Sequence, residues 1–390
     1  RGPRPRQAQG RQRRRLRRQV LPPAPHLRPA TVTRTEPLYI MKIAIADRKG
    51  SFSDYWIKYC EEHSISYKVV NPYDTDIVEQ VSDCDAFMWH HHHANFRDTL
   101  FAKQLLFSLE QAGKVVFPNF RTGWHFDDKL GQKYLFEALG VRAAKSWVFY
   151  DKKSAYEWIE TTDFPKVFKL RGGAGSANVM LAHNAREAKS FVKRAFGRGF
   201  AQFRGCDYVR DRYKAYKAKK ITLKALLRSC GRLIIPTKYA RMHAPEKGYA
   251  YFQEFIPNDG FDLRVIVIGH KAFAIQRKIR KGDFRASGSG LISYGKELFS
   301  RELIKTAFSI NERVRSQSLV LDFVQHKETG QLYAVEVSYG YSAAGYAPCP
   351  GYWTKDLEWH EGPVDSLSWI LEEVVAEFST TETVKEVKNI

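Results

Sequence analysis

Two kinds of hydrophobic pattern divide the chain after residue 40. Over residues 41–120, short apolar runs typical of buried strands alternate with stretches whose apolar positions lie three or four residues apart, as in amphipathic helices. The predicted strands are 42–46, 67–70, 86–89 and 114–119, and the predicted helices are 52–63 and 96–112, the second with Leu100, Phe101, Leu105 and Leu109 on its apolar face. Strands separated by helices form parallel sheets with right-handed crossovers. The pattern therefore predicts a small parallel α/β domain over 41–120.

From residue 121 onward, the predicted strands follow one another more closely. Helices are predicted over 127–139, 154–161, 185–196 and 364–378, and strands over 145–150, 164–170, 178–183, 249–256, 262–269, 271–279, 318–324 and 331–337. Neighbouring strands joined by short turns are typical of antiparallel hairpins. We therefore expect an α/β (α+β) protein in which a second domain with antiparallel sheets spans 121–378, and residues 379–390 form a frayed tail.

Positive charge is concentrated in two segments. The chain has 63 basic and 42 acidic residues, a formal net charge of +21. Residues 1–40 contain eleven arginines and one acid, and residues 197–247, the basic insert, contain fourteen Lys or Arg against three acids, so the two segments carry the whole net charge. A uniformly basic domain that coats nucleic acid is therefore a poor description, and we do not expect nucleic acid as the partner.

The two basic segments differ in what they can do. Residues 1–40 hold seven of the sixteen prolines and few large apolar residues, so they cannot bury enough surface to order themselves. We expect a disordered extension before a start at Met41, and the alternative is an arm that binds polyanions. The basic insert has interleaved tyrosines; it could bind an acidic partner, a membrane surface or RNA, or form a solvated helical pair.

The cysteines and the hydropathy of the chain favour a cytoplasmic protein. The five cysteines are scattered and form no CxxC pair, which is typical of reduced thiols. No apolar run approaches the roughly 18 residues of a membrane span.

Four adjacent histidines, His90–His93, follow a predicted strand. They could bind a transition metal, but neighbours at a strand end alternate faces, so at most two would converge. Ligands of α/β proteins bind at the carboxyl edge of the sheet. A substrate contact or a structural role is therefore the stronger expectation.

A turn with the sequence KETG separates two apolar strands near the end of the chain. A hairpin centred near Thr329 places Asp322 directly opposite Glu336, with their β-carbons about 5 Å apart on one face. Two carboxylates forced together repel unless one is protonated or a cation lies between them. Oxygen ligands of this kind suit Mg²⁺, and Ser338 shares their face. The pattern favours a cation site, and the alternative is a solvated face.

Two glycine-rich segments could bind anions. A strand that ends near Lys169 leads into RGGAGSANV (171–179), whose backbone amides could face phosphates, although a plain hairpin turn would have the same composition. A second segment, GDFRASGSG (282–290), contains Arg285 and follows four basic residues that include Arg277. It is typical of a loop that closes over anionic groups, and the alternative is a solvated basic loop.

In their order along the chain, these features resemble the ATP-grasp superfamily, and most closely its RimK-type and glutathione-synthetase-like carboxylate–amine ligases. The resemblance covers about 127–340, interrupted by the basic insert, and the 41–120 domain fits the domain that precedes the ATP-grasp fold in this family. The segments that carry it are DDKLGQKYLFEALGV, FPKVFKLRGGAGSANV, FQEFIPNDGFDLRVIVIG, AIQRKIRKGDFRASGSG and LDF…VEVS. The resemblance implies an ATP-grasp fold with a preceding small parallel α/β domain.

The resemblance also implies a role for each matching residue. Those that bind the nucleotide, with the lysines on the phosphates and Glu254 and the two following backbone positions at the adenine, would be Lys129, Lys169, Gly172, Gly173, Ser176, Glu254, Phe255, Ile256, Asp262 and Arg264. Arg277 and Arg285 would be catalytic, on the transferred phosphate or acyl phosphate. Asp322 and Glu336 would bind Mg²⁺, or Mn²⁺ in its place. Ser338 stands where the family usually has a metal-binding asparagine, and its hydroxyl can still bind the metal.

The implied reaction is an ATP-dependent ligation. A carboxylate becomes an acyl phosphate, an amine attacks it, and ADP and phosphate are released. The implied partners are ATP, a small or polymeric acid and an amine acceptor, and family members associate as dimers or tetramers. Two alternatives stay open: an ATP-grasp phosphotransferase that leaves a stable phosphorylated product, and a non-catalytic polyanion-binding protein.

Overall fold

A computed structural model describes Gly2, residues 41–172, 178–201, 221–231, 244–279 and 290–388, and six positions within the basic insert (Val209, Arg212, Tyr213, Tyr216, Lys217 and Met242). The predictions made for residues 1–40, for about half of the basic insert, and for Gly173, Ser176 and Arg285 lie outside this part of the chain.

The first sheet is parallel, as the alternation of strands and helices predicts. Its strands are β1 (Lys42–Ala46), β2 (Ser66–Val70), β3 (Ala86–Met88) and β4 (Val115–Phe117), in the order β2-β1-β3-β4. The helices that connect them are α1 (Phe52–Glu62), α2 (Ile77–Gln80) and α3 (Phe96–Gln111).

One side of helix α3 was predicted incorrectly. Leu100, expected on the apolar face, is 63% exposed. The buried stripe instead contains Leu105, Leu106 and Leu109 and begins at Asp98, a buried acid. Asp98 is buried because its carboxylate accepts hydrogen bonds from Tyr73, Asn95 and the backbone of His92, so its polar atoms are satisfied.

The second sheet is antiparallel and has four strands. They are β5 (Ser146–Phe149), β6 (Lys166–Lys169), β7 (Val179–Ala182) and β8 (Ala250–Glu254), in the order β5-β8-β6-β7. Helices α4 (Phe120–Gly123) and α5 (Lys129–Ala138) precede it, and α6 (Lys152–Thr161), α7 (Ala185–Ala195) and α8 (Leu223–Cys230) lie within its span of the chain. Phe168 and Phe252 pack with residues of α6 and α7 in a core of their own.

The third sheet is also antiparallel and follows the order β13-β12-β9-β10-β14-β15, with β11 paired to β10. Its strands are β9 (Phe261–Ile268), β10 (Lys271–Lys278), β11 (Ile292–Ser293), β12 (Ser318–Gln325), β13 (Leu332–Ser338), β14 (Gly351–Thr354) and β15 (Trp359–Glu361). Helices α9 (Arg301–Val314) and α10 (Ser366–Lys388) and two short 3₁₀ helices, Lys296–Leu298 and Ala343–Gly345, complete this region. The mixed α/β architecture with antiparallel sheets is confirmed.

Two helices differ from the prediction. Helix α9 was not predicted, although Ser300 caps it by accepting a hydrogen bond from the Leu303 amide and its buried residues follow helical spacing. Helix α10 continues to Lys388 rather than ending at Phe378. The hydroxyls of Ser379 and Thr380 donate to carbonyls four residues earlier, which is compatible with a continuing helix.

The first and third sheets share one hydrophobic core. Ile43 and Met88 from the parallel sheet belong to the same buried cluster as Ile266 and Val320 from the third sheet and Ile370 from α10. This shared core holds the carboxyl edge of the parallel sheet beside strands β12 and β13. Among the helices of the described segments, none is long and apolar enough to cross a membrane.

Candidate active site

The two carboxylates predicted to meet do so. Asp322 on β12 pairs directly with Glu336 on β13, and an irregularity in the register follows between Asp322 and Phe323. Both residues and Ser338 line a cavity of about 400 Å³, which we call the central cavity. Alternation along a strand explains this arrangement, because Glu336 and Ser338 are two residues apart and therefore share a face.

Asp322 is buried between two arginines. Arg264 donates from Nε to Oδ1 at 2.5 Å and from Nη2 to Oδ2 at 2.7 Å, and Arg277 donates to Oδ2 at 2.9 Å. Burial alone would raise the pKa of Asp322, but the charges of Arg264 and Arg277 outweigh it and hold the pKa well below its usual range. Asp322 is therefore ionised at neutral pH.

Arg277 also binds the second buried acid, Asp262. Its Nε and Nη2 donate to the two Asp262 oxygens at 2.7 and 2.6 Å. Burial raises the pKa of Asp262 to about 6, against the lowering effect of Arg277. Asp262, Arg264 and Arg277 thus form one ion network around Asp322, in which Arg264 also lines the central cavity.

The oxygen atoms around the central cavity could hold a divalent cation. The Asp322 carboxylate accepts three hydrogen bonds from the two arginines, which leaves about one acceptor position of the usual four. Glu336 is about one-third exposed, and the Ser338 hydroxyl lies 3.1 Å from the Gly340 carbonyl. Carboxylate and hydroxyl oxygens without nitrogen or sulfur suit Mg²⁺, which keeps several waters and phosphate oxygens in its shell. These residues therefore fit a magnesium ion.

Lys129 lies directly beside this pair. It is the first residue of α5, where the Asp128 side chain accepts a hydrogen bond from the Gly131 amide and so caps the helix. The Lys129 Nζ is buried and lies 3.3 Å from Glu336 Oε1.

Lys169 faces the same region from the end of β6. Its Nζ donates to Gln253 Oε1 at 2.6 Å, and the Gln253 amide continues the network to Ser146 Oγ at 3.1 Å. Burial lowers the pKa of Lys169 to about 8, while the charge of Glu336 opposes that shift. One lysine from α5, one lysine from β6 and two carboxylates from the third sheet therefore lie in the same region.

The expected adenine-binding residues lie at the end of β8. Glu254 pairs directly with Lys166, whose Nζ is 2.9 Å from both carboxylate oxygens. Because successive residues point to opposite faces, Glu254 lies on the other face of β8 from Gln253. Phe255 and Ile256 come directly after the last residue of β8 and lie outside the strand. The Ile256 carbonyl accepts a hydrogen bond from the Asn258 side chain.

The histidine run lies at the carboxyl end of β3. His90, His92 and His93 line the central cavity, whereas His91 is buried. Burial lowers the pKa of His91 to about 3 and that of the fully buried His125 to about 4, so both rings are neutral. No group of three or more His, Cys, Asp or Glu side chains that could hold a metal is found in the segments that the structure describes.

Two further residues near the site, Arg48 and Lys103, were not singled out in the sequence. Arg48, just after β1, lines the central cavity together with the carboxylate pair. Gly172 lines a neighbouring cavity of about 260 Å³ together with Lys103 and Arg171. The position of Arg48 after the first strand, at the carboxyl edge of a parallel sheet, is the signal that could have identified it.

Comparison with known proteins gives structural matches only. No protein-family profile matches the chain, and no curated protein matches it. The biotin carboxylase domain of 2-oxoglutarate carboxylase from Hydrogenobacter thermophilus, solved with MgADP, ADP and bicarbonate, is 14% identical over 86% of this chain and 69% of that chain, with a TM-score of 0.51. D-alanine–D-alanine ligase from Bacillus anthracis, solved with ATP, is 12% identical over 89% of this chain and 99% of that chain, with a TM-score of 0.48. A RimK-domain ATP-grasp protein from Sphaerobacter thermophilus is 15% identical over 76% and 90% of the two chains, with a TM-score of 0.45. At these identities the first match shows a shared fold.

Proposed function

We propose that this chain, which has the ATP-grasp fold, is an ATP- and magnesium-dependent ligase that joins a carboxylate to an amine. The carboxylate oxygen attacks the γ-phosphorus of ATP, which forms an acyl phosphate and releases ADP. The amine nitrogen then attacks the carbonyl carbon, the carbon–oxygen bond to phosphate breaks, and an amide, inorganic phosphate and a proton are produced.

The observation that carries this proposal is the convergence of Lys129, Lys169, Asp322 and Glu336 from separate elements. A triphosphate needs cations to neutralise its oxygens, and a magnesium ion needs anionic oxygens to hold it. The Lys129–Glu336 contact of 3.3 Å brings both kinds of charge together. The match to a domain solved with MgADP and bicarbonate supports a nucleotide and a small acid as ligands.

Each charged group has a distinct task in this reaction. Bound magnesium would be held by Asp322, Glu336 and Ser338 and would supply charge neutralisation on the transferred phosphoryl group. Lys129 and Lys169 bind phosphate oxygens as point charges. Arg264 and Arg277 keep Asp322 ionised and fixed, because both guanidinium groups hydrogen-bond to its carboxylate. Arg277 is therefore a positioning residue, and the proposed catalytic role on the phosphate falls to Arg285.

The test is calorimetric titration of the full chain with ADP, with and without Mg²⁺. We expect magnesium to strengthen ADP binding in the wild type. Lys169→Gln should weaken MgADP binding by at least about tenfold, since a charge-assisted hydrogen bond is lost. Glu336→Gln should remove most of the effect of magnesium. Lys193→Gln, at an exposed position of α7, is the matched control and should bind like the wild type.

A second measurement separates a ligase from a phosphotransferase. A ligase releases inorganic phosphate from ATP only when an acid and an amine are both present, whereas a phosphotransferase forms ADP with the acid alone and leaves a stable phosphorylated product. Absence of MgADP binding in a folded wild-type sample would overturn the proposal.

A further inference from the structure

Part of the wall of the central cavity is formed by the turn between β1 and α1. Arg48 and Gly50 line it, and His90 lies beside them at the end of β3. The Arg48 Nη2 is 3.0 Å from Ser51 Oγ and 3.4 Å from both the Nδ1 and the carbonyl oxygen of His90. The guanidinium is thus oriented by neutral groups.

Arg48 forms no ion pair with any carboxylate of the described residues. Its Nε is buried and has no hydrogen-bond partner there. The two nearest acids in sequence are used elsewhere, since Asp47 accepts from the Ser53 hydroxyl at 2.9 Å and Asp54 accepts from the Gly50 amide at 2.8 Å. Burial, and to a lesser extent the charge of Arg48, keeps the pKa of His90 well below its usual range. The His90 ring is therefore neutral and adds no charge beside Arg48.

An arginine in this state is suited to an anionic ligand. Its planar group binds carboxylate or phosphate through two parallel hydrogen bonds, and a buried N–H without a partner costs free energy until it is paired. The first turn of α1 lies next to it, and Ser51 makes no cap hydrogen bond because its hydroxyl lies 2.8 Å from His90 Nδ1 instead. The positive end of this helix adds to the attraction for an anion.

The size of the central cavity restricts the ligand. About 400 Å³ is near the lower end of the range for small-molecule sites, so it fits a metabolite-sized acid. Asp322, Glu336 and Ser338 form the end at which the carboxylate would react. Arg48 lines the same cavity and forms no ion pair with Asp322 or Glu336, so it is available to a second anionic group of the acid.

We propose that the acid substrate is a small molecule with two oxyanion groups, of which one reacts at the Glu336 end and the other, a carboxylate or a phosphate, binds Arg48. This inference rests on the proposed function, because it assigns the non-reacting end of the same acid. It assigns Arg48 as a specificity-determining residue.

The test uses calorimetry on the full chain saturated with MgADP, so that the nucleotide site is filled. The probes are glutarate and 3-phosphoglycerate, which carry a second carboxylate or a phosphate, and butyrate, which carries one carboxylate. We expect the wild type to bind one of the first two more tightly than butyrate, and the preferred probe identifies the second group. Arg48→Gln should weaken the binding of that probe by about 10- to 100-fold and leave the affinities for butyrate and MgADP unchanged.

Two further variants complete the experiment. Arg48→Lys keeps a point charge without the planar fork, so it should retain part of the affinity, and it serves if Arg48→Gln does not fold. Arg301→Gln, at an exposed position of α9, should behave like the wild type. Equal binding of all three probes to the wild type, or an equal effect of Arg48→Gln on all of them, would overturn the inference. Failure of the wild type to bind MgADP would instead overturn the proposed function. Failure of this inference and failure of the proposed function are therefore distinguishable.

Discussion

Burial of the Lys169 amino group costs the free protein folding free energy and would favour binding of an anionic ligand. Its amino group is buried at the end of β6 and hydrogen-bonds to Gln253, a neutral partner. Burial lowers its pKa to about 8 from an ordinary value of 10.5. A nucleotide phosphate would supply the anionic partner that Gln253 does not.

The protonation of Lys169 predicts how nucleotide binding depends on pH. Above about pH 8 the free protein loses this proton, and Lys169 must take it up again when MgADP binds, so the affinity for MgADP should fall by up to about tenfold per pH unit. Calorimetry between pH 7 and pH 10 measures this slope. Lys169→Gln should bind weakly with a flat profile over the same range. An unchanged wild-type affinity across it would contradict the assignment.

The same group predicts the sign of a stability change. Between pH 8 and 10.5 the unfolded chain keeps the Lys169 proton and the folded chain does not, so this residue makes stability rise with pH in that window. Below pH 8 both states are protonated, and the cost of burying the charge is fully present. Urea unfolding of the wild type and of Lys169→Gln at pH 7 and pH 10 tests this prediction. The variant should lack the increase in the free energy of unfolding that Lys169 produces above pH 8.

Arg277 connects two buried acids and should be important for stability. We expect Arg277→Met to lower the free energy of unfolding by about 3–5 kcal/mol, because Asp262 and Asp322 lose a shared cation within a buried network. Urea denaturation measures the change. The exposed pair of Lys355 and Glu312 provides a control, and Lys355→Met should lower the free energy of unfolding far less than Arg277→Met. Equal effects of the two variants would show that Arg277 is not holding these carboxylates.

At the scale of elements, local patterns predicted the strands and helices that bring the site together. The pairing of Asp322 with Glu336 follows from the KETG turn and strand alternation, both readable in a short stretch of sequence. Lys169 was identified in the same way, from the strand and the glycine-rich segment that follows it.

The sequence could not predict the tertiary contacts, which join residues far apart along the chain. The contact of Lys129 with Glu336 joins residues more than two hundred positions apart, and the Asp322 network needs the pairing of β12 with β9 and of β9 with β10. No local periodicity encodes such pairings. The exposure of Leu100 was mispredicted for the same reason, since a buried hydrogen-bonded Asp98 replaced an apolar residue in the stripe.

The cap of helix α5 links helix stability to the site. Asp128→Ala should destabilise the protein by about 0.5–2 kcal/mol and also weaken MgADP binding, because the lost cap frees the first turn that holds Lys129. Ser300→Ala removes a comparable cap from α9, remote in sequence from the lysines, and should cost similar stability without affecting MgADP. Asp128→Asn retains an acceptor and should restore both properties. Unfolding and calorimetry on the three variants separate these effects.

At the scale of the molecule, the three sheets do not share their hydrophobic cores equally. The parallel sheet and the third sheet have one common cluster, and Gln317 joins them through hydrogen bonds to the Val116 carbonyl and the Asn119 amide, both at 3.0 Å. The second sheet has a separate cluster around Phe168. The second sheet therefore forms a unit that can open locally while the other two stay together.

Hydrogen exchange should show this division. We expect amides of β5–β8 to exchange through a lower-energy opening than those of β1–β4 and β9–β13, which should exchange together. MgADP should slow exchange in β6 and β8, where residues proposed to bind the nucleotide lie. Mass spectrometry of peptides from each sheet measures this, and uniform protection across all three sheets would contradict it.

In the proposed ligase, the core shared by the parallel sheet and the third sheet would determine which acids fit the central cavity. Phe52, four residues after Arg48, and Val337, next to Glu336, both lie in packed cores, the first of them in the cluster common to the two sheets. Close-packed side chains therefore support both Arg48 and Glu336, and neither of these two cores is that of the second sheet. An acid too short to reach both residues would leave one of its two oxyanion groups unbound. Discrimination by length would then need no closing movement, and changing it would require substitution of residues along the cavity wall.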